Sequence, residues 1–276
     1  MSEPSMILTS QTDRILNITL NRPDDLNPLS WLVLDEISNA LDSALDDESV
    51  GVIVIGAAGK AFSTGYDLRE EHWITSQYPA NVDRLNISQD REDVHRIVDY
   101  WMKLWRFPKP IIAKVQGDCL SGAGELLGVC DLAIVSDKAR FGHPAGRDLG
   151  IPPSIMFWPM LIGYRKTKEL LYTARLIGAY EAEKIGLVNQ VVAHDQLDET
   201  VTAIASHIAR APSENLSILK EVSNTWFEAM GMEGSMRRGA DLDAIYHQYD
   251  SFQDFFQTVR QQGVKAAFKK RRDLYG

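Results

Sequence analysis

The stretch that decides the fold is Lys109–Gly150, with the sequence KPIIAKVQGDCLSGAGELLGVCDLAIVSDKARFGHPAGRDLG. It begins with a short apolar run at 111–115, which predicts a strand covered on both faces. A loop of small residues follows at 121–124, then a short helix with Glu125 in its first turn, and then a second strand at 132–135. This order of strands and helices indicates an α/β architecture.

The small-residue loop at 121–124 also predicts a chemical function. Small residues let backbone N–H groups approach a ligand closely, and the first N–H groups of a helix have no intrahelical acceptor. We therefore expect an anion site here, with donors aimed at an oxygen that gains negative charge and with the Glu125 carboxylate beside it.

The segments on either side continue the alternation of strands and helices. Apolar residues at helical spacing between residues 27 and 45 predict a helix, with Ser30 as its candidate N-cap. Residues 70–95 show no clear element. The other expected elements are strands at 15–20, 50–55 and 187–192, and helices at 94–104, 166–173, 179–185 and from 197 nearly to the end.

Composition excludes several classes of protein. The chain has 276 residues, a formal charge of −9 and 45% apolar residues. It can bury a sizeable core, and its charge argues against a general nucleic-acid binder. No apolar run is long enough to cross a bilayer, and no signal peptide is apparent. The two cysteines, Cys119 and Cys130, match no disulfide framework or metal spacing, which fits a cytoplasmic protein.

The sequence does not match three common catalytic or nucleotide-binding motifs. The glycines at 122, 124 and 128 do not follow a strand directly, as a dinucleotide fingerprint requires. Gly59-Lys60 lacks the first glycine and the Ser or Thr of a phosphate loop. No G-x-S-x-G elbow occurs, so a serine hydrolase of that type has no support.

Five segments in order resemble the crotonase, or enoyl-CoA hydratase/isomerase, superfamily over nearly the whole chain. They are ITLNRPDDLNPLS (18–30), GAAGKAFSTGYDLRE (56–70), KPIIAKVQGDCLSGAGELLGVCDLAIVSDKARFGHP (109–144), YRKTKELLYTARLIGAYEAEKIGLVNQVV (164–192) and QGVKAAFKKR (262–271). The resemblance implies a spiral of ββα turns over residues 1–196. It also implies a helical region at 197–276 that assembles the chain into a homotrimer or a dimer of trimers.

The same resemblance implies acyl-CoA thioester substrates. By match, the backbone N–H groups of Tyr66 and Gly122 would stabilise the thioester enolate, and the Tyr66 side chain would only form a pocket wall. Coenzyme A is part of the substrate, so no separate cofactor, metal or redox group is expected.

The resemblance also places the rest of the substrate. The adenine and phosphates of CoA would lie near Arg22, Asp25 and Leu26 and near basic residues of the terminal helix, for which a solvated surface is an equal alternative. The other matched substrate-binding positions are Ala61, Ser63, Asp67, Leu68 and Ala145. The aromatic residues Trp73, Trp101, Trp105, Phe157 and Trp158 could shape an acyl pocket, although core packing is favoured.

One catalytic position departs from the family pattern. A hydratase of this family uses two glutamates, whose mutual repulsion separates their pKa values. Glu125 matches the first, but the second position is Ala145. His143 and Asp148 are the candidate replacements, because either side chain can act as an acid or base. The alternatives are a packing role for His143, and a turn or ion-pair role for Asp148 with its neighbour Arg147.

Three functions stay open at this point. The first is hydration of a 2-enoyl-CoA, in which Glu125 positions or activates water. The second is another reaction through the same enolate, namely double-bond isomerisation, decarboxylation or C–C bond hydrolysis. The third is a catalytically silent acyl-CoA-binding protein. The presence of Glu125 beside the small-residue loop argues against this third function.

Overall fold

A computed structural model of the chain describes residues 5–68, 86–148 and 157–275, apart from the side chains of residues 147, 148 and 275. The strands are β1 (Ile7–Thr12), β2 (Ile15–Leu20), β3 (Val52–Ala57), β4 (Ile111–Val115), β5 (Asp118–Leu120), β6 (Leu132–Ser136), β7 (Arg140–Gly142), β8 (Ile177–Gly178) and β9 (Gln190–Val192). The helices are α1 (Trp31–Leu45), α2 (Ile87–Trp105), α3 (Gly122–Val129), α4 (Pro144–Asp148), α5 (Trp158–Leu161), α6 (Tyr164–Thr173), α7 (Ala179–Lys184), α8 (Leu197–Ile208), α9 (Ser213–Ala229), α10 (Met232–Tyr246), α11 (Asp250–Gln262) and α12 (Val264–Tyr275).

Two sheets form the core of the molecule. The larger sheet has the strand order β1-β2-β3-β4-β6-β9, and all its pairs are parallel except β1 with β2. The smaller sheet has the order β5-β7-β8. From β4 to β7, successive strands alternate between the sheets, since β4 and β6 lie in the larger one and β5 and β7 in the smaller one. The chain is therefore a spiral of ββα turns, as the resemblance implied.

The larger sheet is covered on both faces, which explains the continuous apolar runs of its strands. On one face, Val54, Ile112 and Ile134 pack against Val201 and its neighbours on α8. On the other face, alternate residues such as Ile55 and Ala113 join the main core with α1, α2 and α3. The first helix of the C-terminal region thus completes the packing of the sheet.

Most of the elements expected from the sequence are present, with shifted ends. The strands at 15–20 and 111–115 have the predicted bounds, and Ser30 caps α1 by accepting a hydrogen bond from the Val33 N–H. The predicted strand at 187–192 is only Gln190–Val192. The unassigned segment 70–95 holds the start of α2 at Ile87, and residues 69–85 lie outside the described part. The N-terminal strand β1 was not predicted.

The C-terminal helices contact the core through helix packing and a salt bridge. Helix α10 packs along α2. The buried Lys220 ammonium on α9 bonds the Asp131 carboxylate at 2.8 Å, and that carboxylate also accepts the Ile111 N–H at 2.7 Å. Among the described helices, none is both long and apolar enough to cross a membrane.

Candidate active site

Two turns meet at the start of α3. Gly65 has φ +97°, and a Cβ there would lie 2.9 Å from the Leu120 carbonyl oxygen and 3.0 Å from the Gly122 nitrogen. Ser121, directly before α3, has φ +52°, a left-handed value that is uncommon outside glycine. Because the backbones approach so closely, only glycine fits at position 65. The turn that holds Tyr66 therefore lies against the turn that opens α3.

Hydrogen bonds hold the Tyr66 turn from both sides. The Ser63 N–H donates to the Asp118 carbonyl at 3.0 Å, and the Leu120 N–H donates to the Ser63 carbonyl at 3.0 Å. Leu29 bonds the other side, donating to the Gly65 carbonyl and accepting from the Asp67 N–H, both at 2.8 Å. The turn is thus fixed between the smaller sheet and the segment before α1.

Polar side chains fix the neighbouring loop. The Asn27 amide donates to the carbonyls of Ala58 and Ala61, both at 2.9 Å, and its oxygen accepts the Arg22 N–H at 2.8 Å. The Arg22 guanidinium bonds the buried Asp67 carboxylate at 2.7 Å. This arrangement joins segment 22–27 to the loop that ends at Asp67.

Glu125 is the buried carboxylate of the site. It lies in the first turn of α3, where the helix dipole favours a negative charge, and its residue is 2% exposed. The Tyr66 hydroxyl donates a hydrogen bond to Glu125 Oε2. The Trp101 indole N–H points to the same pair, with Nε1 3.1 Å from the Tyr66 hydroxyl oxygen and 3.2 Å from Glu125 Oε2.

The Tyr66 ring also lies on the start of α3. A Cβ at Gly122 would be 2.7 Å from the ring, so the ring packs directly on the glycine backbone. Burial first, and then the Glu125 carboxylate, raises the pKa of Tyr66 well above its usual value. The phenol therefore stays protonated and serves as a hydrogen-bond donor at ordinary pH.

The residues expected to replace the second glutamate lie on or before α4. His143 is buried, and its Cδ2 atom would be 3.0 Å from a Cβ at Gly146. Ala145 is also buried. Asp148 is the last residue of α4, but its side chain, like that of Arg147, lies outside the described part. The catalytic roles of His143 and Asp148 stay predictions.

Apart from Ala145 on α4, the predicted substrate-binding residues occupy two short segments. Ala61 and Ser63 are buried in the loop held by Asn27, while Leu68 is half-buried. Asp25 is exposed and pairs with Arg22 at 3.3 Å. Leu26 has φ +68° and its carbonyl accepts the Thr64 N–H at 3.2 Å. Hydrogen bonds of Arg22, Leu26 and Asn27 therefore connect segment 22–27 with the loop 58–67.

Basic residues of the terminal helix make local contacts. Lys269 bonds Asp273 at 2.9 Å, Lys270 bonds Asp254 at 2.6 Å, and Arg271 donates to the Ser251 carbonyl at 3.0 Å. These exposed or half-exposed pairs fit the solvated-surface alternative and leave the phosphate role a prediction.

Sequence reasoning missed two contributors to the site, the Tyr66 hydroxyl and the Trp101 indole. Trp101 was assigned to core packing, and it is fully buried, but its N–H also contacts the candidate catalytic carboxylate. The available signal was general: a buried indole N–H usually finds an acceptor. Trp73 lies outside the described residues.

A second buried polar cluster lies between α2 and α10. The His247 Nδ1 is 2.8 Å from Asp90 Oδ2, and its Nε2 is 3.4 Å from Asp243 Oδ1. All three residues are buried, and the Phe252 ring stacks on the imidazole at a centroid distance of 4.1 Å. Within the described residues, no group of three or more histidine, cysteine or acidic side chains has a metal-binding arrangement.

The spiral fold and the buried carboxylate beside two adjoining turns define a protein of the crotonase class. Comparison with known proteins agrees. The family model for enoyl-CoA hydratase/isomerase matches residues 10–273. The chain is 34% identical over 269 residues to a probable enoyl-CoA hydratase of Mycobacterium leprae, with coverage of 96% of this chain and 95% of the relative. It is 30% identical to a crotonyl-CoA hydratase of Syntrophomonas wolfei, with coverage of 96% and 95%.

Solved structures give the same result. An enoyl-CoA hydratase/isomerase from Xanthobacter autotrophicus superposes with a TM-score of 0.89 at 32% identity, covering 99% of each chain. The chain therefore belongs to the enoyl-CoA hydratase/isomerase family.

Proposed function

We propose that this protein adds water to the double bond of a 2-enoyl-CoA thioester. The observation that carries the proposal is the position of Glu125, a buried carboxylate at the start of α3, in contact with the Tyr66 turn. The backbone N–H groups of Tyr66 and Gly122 are proposed as the donors to the thioester oxygen. This role needs backbone alone, and a site without bulky side chains at Gly65 and Gly122 suits it.

The proposed steps conserve atoms and charge. Glu125 takes a proton from water as the water oxygen bonds C3, and the π electrons of the double bond move to the thioester oxygen to give an enolate. The two amides stabilise that negative charge. C2 then takes a proton, either back from Glu125 or from His143 or Asp148, and the thioester carbonyl forms again. If His143 or Asp148 supplies the proton to C2, the proton held by Glu125 then passes to that residue. The site thereby returns to its starting protonation state.

The names of relatives support this choice of reaction. The Syntrophomonas wolfei relative is named a crotonyl-CoA hydratase, and the Mycobacterium leprae relative is named a probable enoyl-CoA hydratase. We carry the enoyl-CoA substrate to this chain as part of the proposal.

Ala145 favours a second candidate reaction. It is a buried apolar residue where the two-glutamate pattern has its second carboxylate. A single carboxylate suffices to move a proton between two carbons, so double-bond isomerisation fits the same site. Decarboxylation and C–C bond hydrolysis pass through the same enolate. A silent acyl-CoA binder would have no use for a buried carboxylate beside the proposed donors, because an unused buried charge is costly.

A panel of acyl-CoA thioesters tests the function. We expect wild type to hydrate at least one 2-enoyl-CoA, and Glu125→Gln to lower kcat by about 10²–10⁴-fold while the substrate still binds. Glu199→Gln is the matched control, since Glu199 is an exposed glutamate in the first turn of α8. Conversion of a 3-enoyl-CoA to the conjugated isomer without hydration would favour the second candidate. Tight binding with no turnover of any member would indicate the silent binder.

The second proton donor requires separate variants. His143→Ala and Asp148→Asn are each assayed on the substrate that the panel identifies. A loss of kcat of tenfold or more in one variant assigns the role to that residue, by the usual size of acid–base effects. Wild-type rates in both would exclude both residues and leave Glu125 to return its own proton.

We propose that CoA binds along the path of Arg22, Asp25, Leu26, Ala61, Ser63, Asp67 and Leu68, with Ala145 facing the acyl group. Support comes from the salt bridge between Arg22 and Asp67, which keeps the Arg22 guanidinium beside the Tyr66 turn. Arg22→Gln is expected to raise KM for acyl-CoA more than it lowers kcat. An unchanged KM would remove Arg22 from the CoA site.

We propose that the helical region assembles the chain into a homotrimer or a dimer of trimers. Large apolar side chains are exposed on one helix, α9, and at its C-cap: Ile218, Leu219, Val222, Trp226 and Met230. An exposed apolar patch of this kind is typical of a protein interface. Light scattering should show a multiple of the 31.0 kDa chain, and Trp226→Lys should reduce it. Tyr172→Lys, at an exposed aromatic on α6, is the control.

A further inference from the structure

We propose that Tyr66 is a positioning residue for Glu125: its hydroxyl, together with the Trp101 indole, orients the catalytic carboxylate and keeps it ionised. The inference rests on the proposed function, because it assigns a role within that reaction. It gives the Tyr66 side chain a purpose separate from the backbone N–H of the same residue.

The geometry supports two donors on one oxygen. The Tyr66 O–H donates to Glu125 Oε2, and the Trp101 Nε1 lies within 3.2 Å of the same oxygen. The indole is also 3.1 Å from the Tyr66 hydroxyl oxygen, so three groups from three segments form one connected set. Two donors on Oε2 fix the rotation of the carboxyl group about its bond to Cγ. They also favour the charged form, because hydrogen bonds to a carboxylate stabilise the anion.

The phenol ring is itself held in place. It packs on Gly122, where a Cβ would come within 2.7 Å of the ring. The backbone of Asp67, the next residue, is bonded to the Leu29 carbonyl at 2.8 Å. Trp101 is fully buried on α2, so the indole N–H has a fixed direction. The hydroxyl therefore meets Glu125 at a defined position on the buried side of the site.

A positioning role explains the chemistry better than a role as proton donor. A phenol that gives up its proton must carry a negative charge next to Glu125. Burial and that carboxylate both raise the pKa of Tyr66, so its ionised form is strongly disfavoured. Tyr66 therefore keeps its proton through the reaction, and its effect is exerted through Glu125.

Tyr66→Phe tests the proposal, since it removes only the hydroxyl and keeps the ring on Gly122. We expect kcat for the 2-enoyl-CoA to fall about ten- to hundredfold, the usual effect of losing a hydrogen bond to a charged group, with KM changed less than about threefold. We also expect the acid limb of the pH–rate profile to move upward by about one pH unit, because the base has lost a donor that favours its ionised form.

The matched control is Tyr100→Phe. Tyr100 lies on α2, and its hydroxyl also donates to a carboxylate, that of Asp35, on the outer surface. We expect its kcat and pH profile to equal those of wild type. Trp101→Phe removes the second donor and should shift the acid limb in the same direction. A lower kcat in Tyr66→Phe with an unmoved acid limb would overturn the proposal, because a merely structural role has that result.

A second measurement does not depend on turnover. Protein labelled with ¹³C at the glutamate carboxyl carbons gives a Glu125 resonance, assigned by its loss in Glu125→Gln. We expect this resonance to titrate at a higher pH in Tyr66→Phe than in wild type. Equal titration in the two proteins would overturn the proposal. If wild type converts no enoyl-CoA, the proposed function fails by itself, while this titration still decides whether Tyr66 controls Glu125.

Discussion

Two buried carboxylate clusters share helix α2 and differ in their balance of donors and acceptors. At one position of α2, Trp101 joins Tyr66 in serving a single carboxylate, Glu125. At another, Asp90 and Asp243 share one imidazole, that of His247. The first cluster has two neutral donors for one carboxyl group. The second has one imidazole for two carboxyl groups.

The partners of a buried carboxyl group decide whether it is oriented by fixed donors or takes up a proton. Burial raises the pKa of Asp243 to about 7, with His247 lowering it and Asp90 raising it. Burial alone would lower the pKa of His247, but the two carboxylates raise it overall. The α2–α10 cluster therefore binds protons near neutral pH, whereas phenol and indole supply fixed donors to Glu125.

The largest effect is expected from breaking the α2–α10 cluster. Asp90→Ala leaves the buried His247 without its 2.8 Å partner, and we expect the free energy of unfolding to fall by about 3 kcal/mol. Urea unfolding at a fixed protein concentration measures it. Glu92→Ala, an exposed position on the same helix, should change stability by less than about 0.5 kcal/mol. Equal stabilities for the two variants would refute the structural role of the cluster.

Gly122→Ala is the next largest change, and it acts on the Glu125 cluster. The added methyl would displace the Tyr66 ring and with it the hydroxyl from Glu125. We expect kcat to fall at least about tenfold, since a hydrogen bond to a charged group is lost. The acid limb of the pH–rate profile should move upward, as in Tyr66→Phe. A variant with wild-type kcat and profile would show that the ring position does not matter.

The α2–α10 cluster should also make the stability of the protein depend on pH. Folded Asp243 binds its proton more tightly than it does in the unfolded chain, where the pKa is about 4. Its stabilising contribution is therefore present at low pH and lost as pH rises through about 7. His247, whose folded pKa is also raised, loses its contribution in the same direction. The Asp243 contribution therefore falls between about pH 4 and pH 7, and the His247 contribution falls as the pH rises above about 6.5.

Asp243→Asn isolates this contribution. We expect the free energy of unfolding of wild type, relative to Asp243→Asn, to fall by about 2 kcal/mol between about pH 5 and pH 7. Urea unfolding of both proteins across the range measures the difference. A constant difference would mean that Asp243 does not take up a proton in the folded protein.

The smallest effect is a gain of stability at Gly234, within α10. A Cβ there meets no atom within 4 Å, and alanine favours helix over glycine. We expect Gly234→Ala to raise the free energy of unfolding by about 0.5–1 kcal/mol with unchanged kcat. It is also the control for Gly122→Ala, because both add one methyl to a helix. A loss of activity at Gly234 would weaken the interpretation of the Gly122 variant.

Local patterns predicted the individual strands and the α/β class well, whereas the spiral arrangement came from the family resemblance. The apolar runs of β2 and β4 gave correct bounds, because strands covered on both faces leave a continuous signal. Helix α2 was predicted only from Val94, although it begins at Ile87. Its first turns carry polar residues, including the buried Asp90, whose burial depends on His247 far along the chain. No local pattern reports such a partner.

The candidate site was predicted only in part, because some of its contacts join residues that are far apart in the sequence. Glu125 and the small-residue loop lie close together in sequence, so their association was visible. The Tyr66 hydroxyl and the Trp101 indole reach Glu125 across 59 and 24 residues, respectively. Only the folded chain brings these groups together. The sequence therefore predicted a role only for the backbone N–H of Tyr66, and the side chain was expected to form a pocket wall.

A crystal structure of Glu125→Gln with a bound 2-enoyl-CoA would show whether the two backbone amides and residue 125 meet the same thioester. We expect the thioester oxygen to lie about 3 Å from the backbone nitrogens of both Tyr66 and Gly122. We also expect the residue 125 amide to lie next to C2 and C3, still in contact with the Tyr66 hydroxyl. A thioester oxygen bound away from those two nitrogens, or a residue 125 side chain directed away from the double bond, would contradict this expectation.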